Sequence, residues 1–356
     1  MTRLQRALRA MAAAVIPVVV LVGVLVVRAG ISAYGALIAL ALLGVWASLF
    51  MVDRRRRRLL AGGLAALFVL ITLRAWSVQT SPVQVRRVRD GVMQKTLLTA
   101  FVDERDPAVL AAAFLELMGA LPAADRVGMA DILDDGYRRL ANDIGFVPTV
   151  MPVTAVLAQQ ADDFFVVTVE VPQPRGVVVF LHGSGGAFTL PCWQVAQAAQ
   201  AAGFSTWCPA TSGRAAWASD DGGGQILRRT IELARAHSAS GIVVGVGLSA
   251  GGMGLTALGD DVDIDLDGVI AISGTAKGAR PARHSTLLIH GSSDAMAPIE
   301  HAVALGAVDV NASLLRLDGN HFVLLQQHTA IAAAITARLQ QTTRASTSSA
   351  STGTSP

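Results

Sequence analysis

Residues Gly247-Leu248-Ser249-Ala250-Gly251 match G-x-S-x-G, the pattern of a serine carried on a sharp strand-to-helix turn. The pattern follows the apolar run Ile242–Val246 and precedes a helical stretch that begins at Ala250. Such a turn pushes the serine into a strained backbone conformation, and glycine on either side avoids clashes with neighbouring chain. The helix that follows aims its first N–H groups at the place where negative charge develops. A serine hydroxyl is a weak nucleophile at neutral pH, so chemistry at Ser249 requires a base within hydrogen-bonding reach.

Those residues need a frame. Val153–Leu157 and Phe164–Val171 are rich in β-formers and flank the polar Gln159–Asp163 turn, which predicts a hairpin. Short apolar runs then alternate with helical stretches. Strands are expected at Gly176–Leu181, Phe204–Cys208, Gly241–Leu248, Gly268–Ser273, Thr286–His290 and Ser313–Leu317. Helices are expected at about Trp193–Ala202, Gln225–His237 and Ala250–Leu258. Continuous apolar strands in that alternation indicate an α/β fold, with a mostly parallel sheet covered by helices on both faces. In such sheets the working site lies at the carboxyl ends of the strands.

With Ser249 in that frame, Val153 to Leu339 resembles the α/β-hydrolase superfamily, closest to its lidless serine esterases and dienelactone-hydrolase-like or oligopeptidase-like members. The resemblance implies that Leu181-His182-Gly183-Ser184-Gly185-Gly186 is the oxyanion loop, with the N–H groups of Ser184 and Ala250 as its donors. It implies that Asp294, in Gly291-Ser292-Ser293-Asp294, is the catalytic acid; the alternative position, Ser273 to Lys277, contains no carboxylate. It also implies that His321, in Leu317-Asp318-Gly319-Asn320-His321, is the base, ahead of His328 further along. The order Ser…Asp…His agrees with that fold. The implied reaction is cleavage of a small-molecule, lipid or polymer ester through an acyl-enzyme on Ser249, with no metal and no organic cofactor. Acyl transfer, peptide cleavage on the same triad, and an inactive binding module are the competing readings. Helix, strand and short loops use up the residues between Ser249 and Asp294, so no lid domain is expected there. Ala210 to Gly224, with Trp217, is either a substrate-contacting loop or an ordinary loop with a partly buried tryptophan.

Composition adds a membrane. Hydrophobic residues make up 52% and charged residues 15%, the net charge is +3, and the mean hydropathy is positive. Apolar runs at about 10–27, 30–52 and 59–76 each approach the ~17–25 residues that cross a bilayer as a helix. Arg3, Arg6 and Arg9 precede the first run, and Arg54 to Arg58 separate the second from the third. The positive-inside rule keeps both groups cytoplasmic. The expectation is about three transmembrane helices in the cytoplasmic membrane, with the hydrolase-like domain on the extracytoplasmic side. Arg86, Arg87 and Arg89, just after the third run, pull the other way. Arginines clustered beside apolar runs read as topology signals, not as a nucleic-acid surface.

The remaining boundaries are a linker and helical pair at 77–150, the hydrolase-like domain at 151–340 and a Ser/Thr-rich disordered tail at 341–356. Asp106-Pro107 reads as a helix start, with the aspartate as N-cap and proline at the first helical position. Leu121-Pro122 reads as that helix's end. The acidic residues of the pair read as a solvated face. Cys192 and Cys208 either form a disulfide or remain two buried thiols.

Overall fold

The computed structural model describes residues 16, 23–24, 30–48, 51, 53–79, 81–95, 104–145, 160, 162–184, 186, 189–211, 217, 222–258 and 264–352. In chain order the elements begin with α1 (Ala33–Ser48), α2 (Asp53–Gln79), β1 (Val83–Arg89), β2 (Val92–Lys95), α3 (Arg105–Met118), α4 (Ala123–Arg126) and α5 (Met129–Ile144). Next come β3 (Asp163–Val169), β4 (Val177–Leu181), α6 (Thr189–Ala201), β5 (Ser205–Pro209), α7 (Gly223–His237), β6 (Val243–Leu248) and α8 (Ala250–Leu258). Last are β7 (Gly268–Ile272), β8 (Thr286–Gly291), α9 (Glu300–Val308), β9 (Ala312–Leu317), α10 (Val323–Gln326) and α11 (His328–Thr352). The chain divides into two compact units, Met1–Ser81 with Ala100–Ala120 and Gly128–Thr149, and Pro82–Thr99 with Leu121–Val127 and Val150–Pro356.

The second unit is α/β. Among the described residues its sheet has nine strands in the order β2-β1-β3-β5-β4-β6-β7-β8-β9. Neighbours from β5 through β9 are parallel, while β2, β1 and β3 form an antiparallel edge. Every residue of β4 is buried, so both faces of the sheet are covered, as its unbroken apolar run predicts. Val177, Val179 and Leu181 pack with Ile226, Leu227, Ile231 and Ala234 of α7. The strand order reverses at β4, which has β5 on one side and β6 on the other, and this places a crevice at their carboxyl ends.

Several expectations change. The Val153–Leu157 strand lies outside the described residues. β3 pairs antiparallel with β1, from the segment expected to be a linker, and with β5. In β1, Val83, Val85 and Val88 are buried, the first two on one face and Val88 on the other, and Arg87 pairs with Asp163 at 2.5 Å. The 86–89 arginines thus belong to a folded strand. The region from Thr342 is not an irregular tail as far as Thr352, because α11 continues through it. That helix is anchored by buried Ile331, Ile335 and Leu339.

In the first unit Asp106 lies inside α3, not ahead of it. Its carboxylate accepts hydrogen bonds from Ser32 N (2.9 Å), Ser32 Oγ (2.7 Å) and Arg105 Nη1 (2.6 Å). It therefore secures the start of α1. Gly119, with φ 64°, ends α3 before Leu121 is reached.

Among the described residues no helix is long and apolar enough to cross a membrane, so these helices give the expected three-span anchor no support. The 10–27 run falls almost wholly outside the described residues. The other two runs correspond to α1 and to the later turns of α2, whose first turns carry Asp53 and Arg54 to Arg58.

Cys192 of α6 and Cys208 of β5 form a disulfide across a sequence separation of 16. Closing a loop of that length stabilises by about 3 kcal/mol in the chain-entropy account. A Cys192→Ala/Cys208→Ala variant is expected to lose stability of that order in urea unfolding without reductant. Unchanged unfolding free energy would mean that the crosslink contributes nothing.

Candidate active site

The Ser249 turn is forced by close backbone approach. Ser249 has φ 51°, a region costly for a residue with a side chain. Its N–H donates to Ile272 O (2.8 Å) and its carbonyl accepts from Met253 N (2.9 Å), so the turn is tied to β7 behind and α8 ahead. A Cβ on Gly251 would stand 2.1 Å from Leu181 O, and one on Gly247 would stand 2.4 Å from the Gly251 backbone. Glycine at both positions is a steric requirement of this turn.

Three residues from three strand ends meet there. His321 Nε2 lies 3.0 Å from Ser249 Oγ. The other ring nitrogen, Nδ1, lies 2.9 and 3.0 Å from the two carboxylate oxygens of Asp294. Asp294 follows β8 and His321 follows β9, and these strands are in register to their ends, Gly291 opposite Leu317. The loops beyond are joined by Ser292 N–H to Leu317 O (2.8 Å) and Ser293 N–H to Gly319 O (2.9 Å).

The Asp294 side chain is fully enclosed. Burial alone raises its pKa, but hydrogen bonds from His290 and His321, the His321 charge and the Ala297 N–H (2.8 Å) outweigh that effect. They hold the carboxyl well below the usual carboxylate range. His290, at the end of β8, did not stand out in the sequence. Its Nε2 donates to Ala297 O at 2.7 Å and lies 3.4 Å from Asp294 Oδ2. The only signal for it was its i,i+4 spacing to Asp294.

Of the expected oxyanion donors, Ala250 is the first residue of α8, and Ser184 is an exposed turn residue after Gly183. A Cβ built on Gly183 would stand 3.2 Å from Ser249 Cβ, so this loop passes directly against the Ser249 turn. Gly185 lies outside the described residues. Trp217 is 1% exposed and packs in the core, and its Nε1–H donates to His182 O (2.9 Å). It therefore braces the His182–Gly183 segment and offers no surface to a substrate. Among the described residues no group of His, Cys, Asp and Glu is arranged to hold a metal ion.

His182 is buried, and its Nδ1–H donates to Gly183 O (2.7 Å) while Nε2 accepts from Thr211 N–H (3.2 Å). That pairing requires the neutral ring. Burial lowers the pKa to about 4, against a smaller raising effect of the Gly183 hydrogen bond. Between the ordinary 6.5 and about 4 the unfolded chain takes up a proton that the folded protein does not. The stabilisation is complete above 6.5 and is lost as the pH falls towards 4. In a His182→Asn variant the Tm should depend less on pH across this window than in the parent. Equal slopes in thermal melts would remove His182 as the source.

No family model matches the chain, and no curated protein matches it. It is similar to several solved structures. Ferulic acid-bound Est1E from Butyrivibrio proteoclasticus is 13% identical, with a TM-score of 0.43 over 52% of this chain and 98% of that one. A predicted CIB-like hydrolase from Thermoplasma acidophilum is 19% identical, with a TM-score of 0.40 over 50% of this chain and 93% of that one. An alpha-beta serine hydrolase homologue from Coxiella burnetii is 13% identical, with a TM-score of 0.41 over 51% of this chain and 95% of that one.

Proposed function

We propose that this chain is a serine hydrolase that cleaves carboxylic esters through an acyl-enzyme on Ser249. The observation that carries the reading is the unbroken line of polar atoms from Ser249 Oγ through both ring nitrogens of His321 to the Asp294 carboxylate. Nε2 takes the hydroxyl proton as Oγ attacks the acyl carbon, and returns it to the departing alcohol oxygen as the ester C–O bond breaks. Water then attacks the acyl-enzyme with the same proton movements, releasing the acid and free Ser249. Asp294, held ionised, fixes the Nδ1–H tautomer and stabilises the charged imidazolium. The N–H groups of Ser184 and Ala250 are the donors for the oxyanion, each worth on the order of 10²–10³ in rate.

The second part of the proposal is location: the N-terminal helices associate with a membrane, and the hydrolase domain faces the extracytoplasmic side. Exposed apolar side chains support it, namely Leu37, Leu40 and Leu42 on α1, and Phe68, Leu73 and Trp76 on α2. Contiguous exposed apolar surface is what a membrane contact requires. The Cys192–Cys208 disulfide favours an oxidising compartment.

A fluorophosphonate probe should label the parent protein but neither Ser249→Ala nor His321→Ala. Asp294→Asn should retain the fold and lose about 10⁴ in kcat towards a nitrophenyl ester. A folded parent that neither labels nor turns over would end the enzymatic reading. For location, the protein should stay with membranes through carbonate extraction, and protease added outside spheroplasts should degrade the domain. Release by carbonate, or full protection from the protease, would overturn that part.

A further inference from the structure

The segment Leu121–Val127 contributes one carboxylate to the site from far away in sequence. Asp125 lies on the single turn α4, in a stretch whose acidic residues read as solvated, yet it is 0% exposed. One oxygen, Oδ1, accepts from His321 N–H at 2.8 Å across a sequence separation of 196. The other, Oδ2, accepts from Ala295 N–H at 3.0 Å across a separation of 170. A third bond joins the same turn to the histidine loop, Asn320 Nδ2–H to Ala124 O at 2.9 Å.

These partners are the backbone of the base itself and of the residue next to the acid. The acid and base loops are already joined near their strands by the Ser292 and Ser293 bonds. Asp125 joins them a second time, beside the reacting groups. A carboxylate suits this task because it has two acceptor oxygens and, when ionised, no donor. Each oxygen makes a charge-assisted bond to a backbone N–H, stronger than a neutral pair would be. With both loops fastened to one rigid group, the Asp294–His321 separation is set before substrate arrives.

We propose that Asp125 is a positioning residue for catalysis, a carboxylate clamp that holds the acid loop and the base loop in register. This rests on the serine hydrolase reading above. Asp125 touches no reacting atom and acts through His321 and Asp294. The clamp serves both acylation and deacylation, since His321 moves a proton in each. Ground-state binding of the substrate does not depend on it.

Asp125→Asn is the direct test, because it keeps the size of the side chain and replaces one acceptor by a donor that faces an N–H. Parent and variant are compared by kcat and KM on a nitrophenyl ester, with active sites counted by fluorophosphonate titration. The low-field proton resonance of the His321–Asp294 hydrogen bond is recorded for both. A kcat per titrated site reduced on the order of 10², with KM unchanged and the resonance weakened or lost, is the expected result. Parental kcat per site overturns the clamp, as does a loss of activity that only follows the number of active sites. If Asp125→Asn does not fold, hydrogen exchange in the parent decides. The His321 and Ala295 amides should be protected to a similar degree, and exchange of either at free-loop rates overturns the clamp. The parent's own labelling keeps the two ideas apart: an inert parent removes the hydrolase reading, whereas an active parent with a fully active variant removes only Asp125.

Discussion

Burying an ionised carboxylate costs several kcal/mol unless its oxygens are well paired, and the architecture around Asp294 is organised to meet that cost. Oδ1 accepts N–H groups from Met296 and Ala297, so the loop after β8 curls back on its own side chain. His321 Nδ1 takes up what remains, and His290 Nε2 stands 3.4 Å from Oδ2. Each of these partners depends on a strand end. His290 is placed by β8, and His321 arrives at Asp294 only because β9 runs parallel to β8 in full register. A shift of one residue in that pairing would turn the side chains of β9 to the opposite face and separate Asp294 from His321. The apolar sheet therefore acts at a distance, by fixing where one charge can be satisfied.

The Ser249 side obeys a different constraint, of space instead of charge. Leu181, Ser249 and Gly274 bring three backbone segments into van der Waals contact at the carboxyl ends of β4, β6 and β7. Residues without a Cβ stand at each approach. Ser273, at the end of β7, is itself in the left-handed region with φ 49°. Such strain persists only where surrounding structure holds it. Here the Ile272–Ser249 and Ile289–Ser273 backbone hydrogen bonds do so.

Which parts were readable follows from how local their determinants are. The Ser249 motif, the Asp294 loop and the His321 loop are short segments at strand ends, each with its own pattern, and all three were read at positions that meet in space. Central parallel strands such as β4 and β7 were read because each is apolar along its whole length. The β1–β2 hairpin was not, since its arginines break the alternation and are accommodated by Asp163 and Glu170 on neighbouring elements. Trp217 looked like a loop residue because its loop is rich in glycine and polar residues. Its burial comes from His182 and the α7 core, which no local pattern encodes. Asp125 is the extreme case, an acid in a short polar turn whose partners lie far along the chain.

His182 and Asp125 make the same point about the loops around Ser249, Asp294 and His321. Each ties loop backbone to a second segment through a buried polar side chain. His182 does it as a neutral ring, accepting from Thr211 and donating to Gly183. Asp125 does it as a carboxylate with an N–H on each oxygen. Loops that face water without such ties sample many conformations, and ordering a backbone costs roughly 1–2 kcal/mol per residue. If that ordering were left until substrate bound, the cost would come out of the rate. Meeting it during folding requires buried polar groups with every bond made, because one left unmade in a low dielectric destabilises more than the network gains. That requirement explains why the ties are made to backbone N–H and C=O groups, whose positions the sheet and the neighbouring helices have already set.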